Sequence, residues 1–169
     1  MEYSYEYEEE VNFLTKTNAM RLLDAAGIAY QTIEYEFDEQ HPCGIGRDSL
    51  DADTAGRMFK TLVTRTESGG IVVFCLPVNG ELDLKKCARA AGCKRVEMIH
   101  VKEITALTGY VRGGCSPVGM KKKYPVIIER SAVRYNQIFV SAGQRGVQME
   151  LSPADLIAFT GADCADLMR

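Results

Sequence analysis

The fold is decided by residues 59–76, which read FKTLVTRTESGGIVVFCL. The first seven residues are rich in β-branched and aromatic side chains, and the segment 67–70 has the composition of a turn. Residues 71–76 follow as a nearly continuous apolar run, which is typical of a strand covered on both faces. The stretch therefore predicts a hairpin whose second strand lies deep within a sheet.

Helix and strand patterns alternate on both sides of this hairpin. Helices are expected after the N-caps Thr17, Asp83 and Ser152. Further helical segments are expected at residues 51–58 and 101–107, and a turn or short helix at residues 131–135. Strands are expected at residues 30–37, 95–99, 126–129, 137–141 and 147–151. Helices intermixed with hairpins indicate an α+β fold around a mixed or antiparallel sheet. We expect one domain over residues 13–169, preceded by an acidic flexible leader at residues 1–12.

The overall charge of the chain hides a strong asymmetry. The 169 residues are 46% hydrophobic and 25% charged, as in ordinary soluble domains, and the net charge of −3 does not by itself indicate a nucleic-acid partner. However, residues 1–10 contain five glutamates and no base, whereas residues 112–134 contain six bases and one acid. Such a distribution can place a basic face on a mildly acidic protein.

The six cysteines do not indicate a secreted or metal-binding protein. The N-terminus is acidic and lacks an apolar segment, so we expect no signal peptide, and no apolar stretch has the length of a membrane helix. Reduced thiols in a cytoplasmic protein are the expected state. There is no Cys-x-x-Cys, and His41 and His100 lie far from any ligand spacing, so neither a metal nor a cofactor is predicted.

A glycine-rich stretch, GYVRGGCSPVGMKKK, occupies residues 109–123. Glycines let backbone N–H groups approach a ligand, and Pro117 restricts the residue before it to an extended conformation. Lys121, Lys122 and Lys123 then add three cations, which suit a phosphate partner. A tight turn followed by a solvated basic face is the alternative, and the stretch taken alone favours it.

Lys60 and Cys115 each have both a chemical and a structural interpretation. Lys60 lies in the predicted strand beside Phe59, where it is either a snorkelling surface residue or a fixed cation for a phosphate or a developing oxyanion. Cys115 with His100 as base would make a cysteine hydrolase, but neither residue lies in a signature of such enzymes. Unpaired cysteines are also commonly inert core residues.

Three further polar residues have ordinary structural explanations when taken alone. Tyr35 lies on the apolar face of its strand, where a tyrosine is more often part of the core than a ligand contact. Asp155 is most simply a first-turn acid that stabilises its helix. Ser116 is flanked by cysteine and proline rather than by the Gly-x-Ser-x-Gly pattern of a nucleophile elbow.

Six short motifs nevertheless occur in a fixed order, at Phe59–Val63, Leu82–Lys86, Val96–Met98, Thr108–Lys122, Val140–Gly146 and Ser152–Leu156. Together they resemble the YbaK/EbsC family, and within it the cysteinyl-tRNA(Pro) deacylase group. The resemblance extends from about Thr17 to Leu167. It implies an α+β fold with a mixed sheet partly rolled into a barrel, like the editing insertion of bacterial prolyl-tRNA synthetase.

The resemblance implies an enzyme that acts in trans on tRNA and hydrolyses the ester of cysteine misacylated to tRNA(Pro). In the mechanism that it implies, the cysteine thiol attacks its own carbonyl while a glycine-loop backbone stabilises the oxyanion. Direct attack by water is the other route. A non-catalytic module that binds tRNA or a nucleotide is the alternative function, and Lys60 on the pocket strand favours the enzyme. Whether prolyl-tRNA synthetase is also a partner is left open.

The resemblance also assigns residues to the site. It implies an essential lysine at Lys60, and a Gly-x-x-x-Pro loop at residues 113–117 whose amides receive the ester. The implied catalytic groups are Lys60, Gly113 and Gly114, the implied substrate contacts are Tyr35, Phe59, Cys115, Ser116, Pro117 and Asp155, and the implied tRNA contacts are Lys121, Lys122 and Lys123. A small pocket that rejects proline by steric clash is expected. The segment 38–50 departs from the family pattern, so the pocket entrance is expected to differ.

Overall fold

The computed structural model describes residues 15–41 and 50–169. The predicted acidic leader, residues 1–12, lies outside the described residues, as does the part of the predicted 38–50 loop that covers residues 42–49. The described strands are β1 (Tyr30–Glu34), β2 (Phe59–Thr66), β3 (Ile71–Pro77), β4 (Val96–Met98), β5 (Val126–Glu129), β6 (Ile138–Ser141), β7 (Val147–Leu151) and β8 (Asp163–Ala165).

The predicted central hairpin is confirmed. β2 and β3 pair antiparallel with Lys60 opposite Leu76, and every residue of β3 after Ile71 is buried. The strand β3 is central because its other edge pairs with β5, in parallel. Two sheets result, one with the strand order β4-β2-β3-β5-β8 and one with the order β1-β7-β6. A parallel bridge between Met58 and Phe139 joins them at one corner.

The helices are α1 (Asn18–Ala25), α2 (Ala52–Arg57), α3 (Leu84–Ala91), α4 (Ile104–Thr108) and α5 (Pro153–Thr160). The predicted N-caps Thr17, Asp83 and Ser152 are confirmed, because the side chain of each accepts a hydrogen bond from a first-turn backbone N–H. The α+β class and the mixed sheet are likewise confirmed.

The differences from expectation concern strand ends and long-range pairing. The predicted strand at residues 30–37 ends at Glu34, whose pairing with Val147 is the last between β1 and β7. Beyond it, the backbone N–H of Tyr35 donates a hydrogen bond to Gly146 O. The predicted helix at residues 101–107 begins as a 3-10 turn over Val101–Glu103 before α4. The strand β8 was not predicted, because its short exposed sequence carries no apolar pattern.

The side chains of the two sheets divide into an interior and an outer face. Phe59, Val63 and Cys75 belong to the largest buried cluster, which also contains residues of α1, β6 and β7. A separate small cluster on the outer face contains Ala55, Met58, Val78 and Phe139, with Tyr35 and Leu50 packed against it. Because Met58 and Phe59 are adjacent and lie in different clusters, the start of β2 has one side chain on each face.

Candidate active site

A cavity of about 790 Å³ lies on the outer face, between α2 and the segment that follows β1. The described residues that line it are 33 and 35–40 on one side, and Leu50, Thr54 and Met58 on the other. Residues 42–49, outside the described residues, connect the two sides in sequence. The volume is in the range of small-molecule sites.

Tyr35 lines this cavity and is joined to a buried amide that the sequence analysis missed. Gln148 on β7 is 5% exposed, and its Nε2 donates to Tyr35 Oη at 3.3 Å. The Oε1 of Gln148 has no hydrogen-bond partner among the described residues. A buried oxygen left without a donor typically costs about 1–3 kcal/mol, and such groups often mark a functional site. A glutamine in an otherwise largely apolar strand was the available signal.

The glycine loop meets the cavity at Phe37. A Cβ on Gly113 would lie 2.5 and 2.6 Å from two ring carbons of Phe37, and Gly113 has φ +81°. A residue with a side chain is therefore disfavoured at this position both by the backbone conformation and by the ring. Phe37 also lines the cavity, so Gly113 contacts a lining residue although it is not itself one of the described lining residues.

The backbone amides of this loop are not equivalent. The N–H of Gly114 closes a turn by donating to Val111 O at 3.0 Å, so it is already occupied. The N–H groups of Gly113, Cys115 and Ser116 have no acceptor among the described residues. Gly113 and Cys115 are therefore available as donors, whereas the sequence analysis named Gly113 and Gly114.

Neither Lys60 nor Phe59 is among the described residues that line the cavity. Phe59 is 1% exposed and belongs to the interior cluster, so the structure does not place it at the cavity. Alternation along β2 puts Lys60 on the opposite face, which is the face of the cavity-lining Met58. The Nζ of Lys60 donates to Gly80 O at 2.7 Å, which holds the ammonium at this face.

Comparison with known proteins identifies the family. Residues 52–159, more than half of the chain, match the family described as "Aminoacyl-tRNA editing domain". The chain belongs to the aminoacyl-tRNA editing domain family.

Two relatives and one solved structure illustrate the similarity to this editing-domain family. The chain is 46% identical over 153 residues to the Enterococcus faecalis protein named "Putative Cys-tRNA(Pro)/Cys-tRNA(Cys) deacylase EbsC", with 90% of this chain and 93% of that protein covered. It is 28% identical over 113 residues to YwhH of Bacillus subtilis, covering 64% of this chain and 71% of YwhH. A crystal structure described as that of "a putative trans-editing enzyme for prolyl tRNA synthetase" superposes with a TM-score of 0.75 at 25% identity, covering 92% of this chain and 99% of the other.

Three other predicted site residues of the editing domain turn inward. Ser116 is completely buried, and its Oγ accepts a hydrogen bond from Val118 N. Cys115 packs against the interior cluster, and burial raises the pKa of its thiol to about 11. A thiol with this pKa is protonated at neutral pH, which argues against a nucleophilic cysteine. Pro117 is buried and lines a separate cavity of about 260 Å³.

The remaining predicted residues lie away from the large cavity. Lys122 and Lys123 line the 260 Å³ cavity together with Pro117, and Lys121 is exposed beside them. Asp155 is exposed in the first turn of α5. None of these four charged residues is among the described residues that line the 790 Å³ cavity. Of the predicted site residues, Tyr35 lines the large cavity and Gly113 contacts its lining residue Phe37, whereas Lys60, the lysine run and Asp155 are not among the described lining residues.

The editing domain also places an arginine at the glycine loop. The guanidinium carbon of Arg145 lies 4.8 Å from the centroid of the Phe37 ring, a cation–π geometry. Its Nε donates to Arg112 O at 2.8 Å. Arg145 occupies the predicted turn at residues 143–146, where a base between glycines was the available signal.

Within residues 15–41 and 50–169, no helix has both the length and the apolar character needed to cross a membrane. The five cysteines in these ranges, Cys75, Cys87, Cys93, Cys115 and Cys164, are free thiols.

Proposed function

We propose that the protein is a trans-editing deacylase that hydrolyses the ester of cysteine misacylated to tRNA(Pro). The observation that carries the proposal is the packing of Phe37, which lines the 790 Å³ cavity, directly on Gly113 of the glycine loop. Through this contact the loop adjoins a residue that lines a ligand-sized cavity, in a member of an aminoacyl-tRNA editing family. The name of the 46% identical relative supports cysteine as the amino acid.

The size of the cavity bears on how cysteine is selected. At about 790 Å³ it has room for an aminoacyl group together with part of a nucleoside, so it is larger than the small pocket that the sequence analysis expected. Volume alone then gives little discrimination against proline, whose side chain is of similar size to that of cysteine. We infer that selectivity comes from reactivity, because cysteine carries a nucleophile and proline does not.

In this mechanism the thiol sulfur of the substrate attacks the carbonyl carbon of its own ester. The oxyanion accepts hydrogen bonds from the N–H groups of Gly113 and Cys115, for which the described residues provide no acceptor, and this supplies the stabilisation that ester cleavage needs most. The bond to the ribose oxygen then breaks, and that oxygen takes the proton released by the thiol. Water opens the resulting thiolactone to give free cysteine. An intramolecular nucleophile gains from proximity, which offsets part of the ring strain.

Lys60 has an electrostatic role in this proposal. Its ammonium lies on the same face of β2 as the cavity-lining Met58 and is held by Gly80 O. A fixed cation there favours the thiolate form of the substrate and the developing oxyanion. The substrate partner is tRNA, and prolyl-tRNA synthetase is a further candidate partner.

The test compares three esters on the same tRNA(Pro): cysteinyl, prolyl and 2-aminobutyryl. The last replaces the thiol of cysteine by a methyl group of similar size. We expect rapid hydrolysis of the cysteinyl ester only. Equal rates on the cysteinyl and prolyl esters would refute the editing function, and binding of all three without hydrolysis would favour a binding module. Comparable hydrolysis of the 2-aminobutyryl ester would instead refute the thiol-assisted route and support direct attack by water.

A further inference from the structure

A second cavity, of about 230 Å³, adjoins the 790 Å³ cavity. It is lined by Phe37, Glu39, His41, Arg112 and Arg145. Phe37 and Glu39 line both cavities, so the two share a wall. The smaller cavity therefore lies next to the loop at which the ester is proposed to react.

The two arginines of this small cavity have unused hydrogen-bond donors. Arg145 is held in place by the contact of its Nε with Arg112 O at 2.8 Å and by the Phe37 ring. Its two terminal nitrogens and the whole guanidinium of Arg112 have no acceptor among the described residues. The guanidinium of Arg65, by contrast, is paired with the Glu103 carboxylate.

The other charged groups of the cavity do not cancel these arginines. His41 bonds to Asp38 through Nδ1, which makes that pair a separate unit. Glu39 is exposed and forms no ion pair among the described residues. Two guanidiniums thus face a single unpaired carboxylate, and one of the two is preorganised by its Nε contact. This arrangement suits an anion with several acceptor oxygens rather than a cation or an apolar group.

We propose that this cavity binds the phosphodiester that precedes the terminal adenosine of the aminoacyl-tRNA. The inference rests on the proposed function, because it needs the aminoacyl ester at Gly113 and the nucleoside in the larger cavity. The phosphate on the 5′ side of that nucleoside then falls one sugar away from the ester, in the direction of an adjoining site. Guanidinium groups bind phosphate oxygens in a bidentate fork, which also fixes the orientation of the nucleotide. Lys121, Lys122 and Lys123 do not line either cavity, so they are left for phosphates farther along the acceptor strand.

The test measures direct binding of adenosine, 5′-AMP and inorganic phosphate to the whole protein by calorimetry or NMR titration at low salt. We expect 5′-AMP to bind about 10-fold more tightly than adenosine, and inorganic phosphate to bind more weakly than 5′-AMP. Arg112→Gln should remove the preference for 5′-AMP while leaving adenosine binding unchanged. Glu39→Gln should increase the preference for 5′-AMP over adenosine, because it removes the carboxylate that opposes the phosphate beside the two arginines.

The matched control is Arg89→Gln, which removes the same charge from the exposed face of α3 and should change neither affinity. Arg145→Lys is the second test variant. It keeps the positive charge but loses the bidentate guanidinium geometry, so it should lose most of the preference for 5′-AMP over adenosine. Equal wild-type affinities for adenosine and 5′-AMP would overturn the proposal. So would equal effects of Arg112→Gln and Arg89→Gln, or phosphate binding as tightly as 5′-AMP, which would make the cavity a free-phosphate site.

The outcome is separable from that of the proposed function. If the protein hydrolyses no aminoacyl-tRNA but Arg112→Gln abolishes its preference for 5′-AMP, the phosphate subsite stands and the deacylase proposal fails. If Cys-tRNA(Pro) is hydrolysed and Arg112→Gln leaves kcat/KM and its salt dependence unchanged, the subsite proposal fails and the deacylase proposal stands.

Discussion

Replacing Gly113 by alanine tests the central contact of the proposed site. The new Cβ would lie 2.5 and 2.6 Å from ring carbons of Phe37, so the ring or the loop must move. In addition, an L-residue at φ +81° is strained by roughly 1–2 kcal/mol. Gly92, at the end of α3, provides the control: it has φ +70°, and a Cβ there would meet no atom within 4 Å. Gly92→Ala therefore imposes the backbone strain without the clash.

The two variants should separate stability from activity. Denaturant unfolding should show a loss of about 1–2 kcal/mol for Gly92→Ala and a larger loss for Gly113→Ala, because the clash adds to the strain. Deacylation of Cys-tRNA(Pro) should be normal for Gly92→Ala. For Gly113→Ala it should fall by on the order of 10²-fold, since a shift of about 1 Å in the loop misplaces the amide donors.

A double-mutant cycle identifies the cause of the stability loss. Phe37→Ala removes the ring, so Gly113→Ala should cost less stability in that background, with a coupling energy of about 0.5–3 kcal/mol. If Gly113→Ala keeps wild-type activity and loses no more stability than Gly92→Ala, the loop does not form the site with Phe37 and the reasoning is wrong.

Four further predictions concern single side chains and the lysine run. Lys60→Met should lower kcat/KM by on the order of 10²–10³-fold with the fold intact. The control Lys86→Met, at a similarly half-buried lysine on α3, should leave kcat/KM unchanged, and unfolding of the Lys60 variant would show that Lys60 is a structural residue. Cys115→Ala should keep substantial activity, and complete loss of activity in the folded variant would revive the cysteine hydrolase. Because the pKa of the Cys115 thiol is about 11, its alkylation at pH 8 should be roughly 200-fold slower than that of an ordinary thiol and should accelerate as the pH rises toward 11. Gln148→Leu should maintain or raise the free energy of unfolding, because it removes a buried amide oxygen that has no partner among the described residues, while lowering deacylation. Unchanged deacylation would exclude a ligand role for the amide. Alanine at residues 121–123 should weaken tRNA binding without changing amino-acid selectivity. The slope of log K against log salt concentration should become shallower by roughly 0.7–0.9 per lysine, and an unchanged slope would show that these lysines are only a solvated face.

Local structure was readable from the sequence because its causes are local. The N-caps at Thr17, Asp83 and Ser152 predicted three helices, because a capping side chain bonds to backbone amides only two or three residues away. The apolar run of β3 predicted a buried strand, because the pattern of apolar residues along an element indicates how many of its faces are covered. The order of the short motifs indicated the family, and with it Tyr35, Lys60 and the glycine loop as candidates.

Only the tertiary structure decided which of these residues meet. Periodicity assigns a side chain to a face but does not identify the partner across it. The sequence therefore could not show that Phe37 contacts Gly113, or that the unusual strand glutamine Gln148 bonds to Tyr35. The same limit applies to β8, which is defined by its parallel pairing with β5 rather than by its own composition. Which loop amides remain free was also decided by the turn that occupies the N–H of Gly114, because a backbone donor is available only when the fold provides it no acceptor.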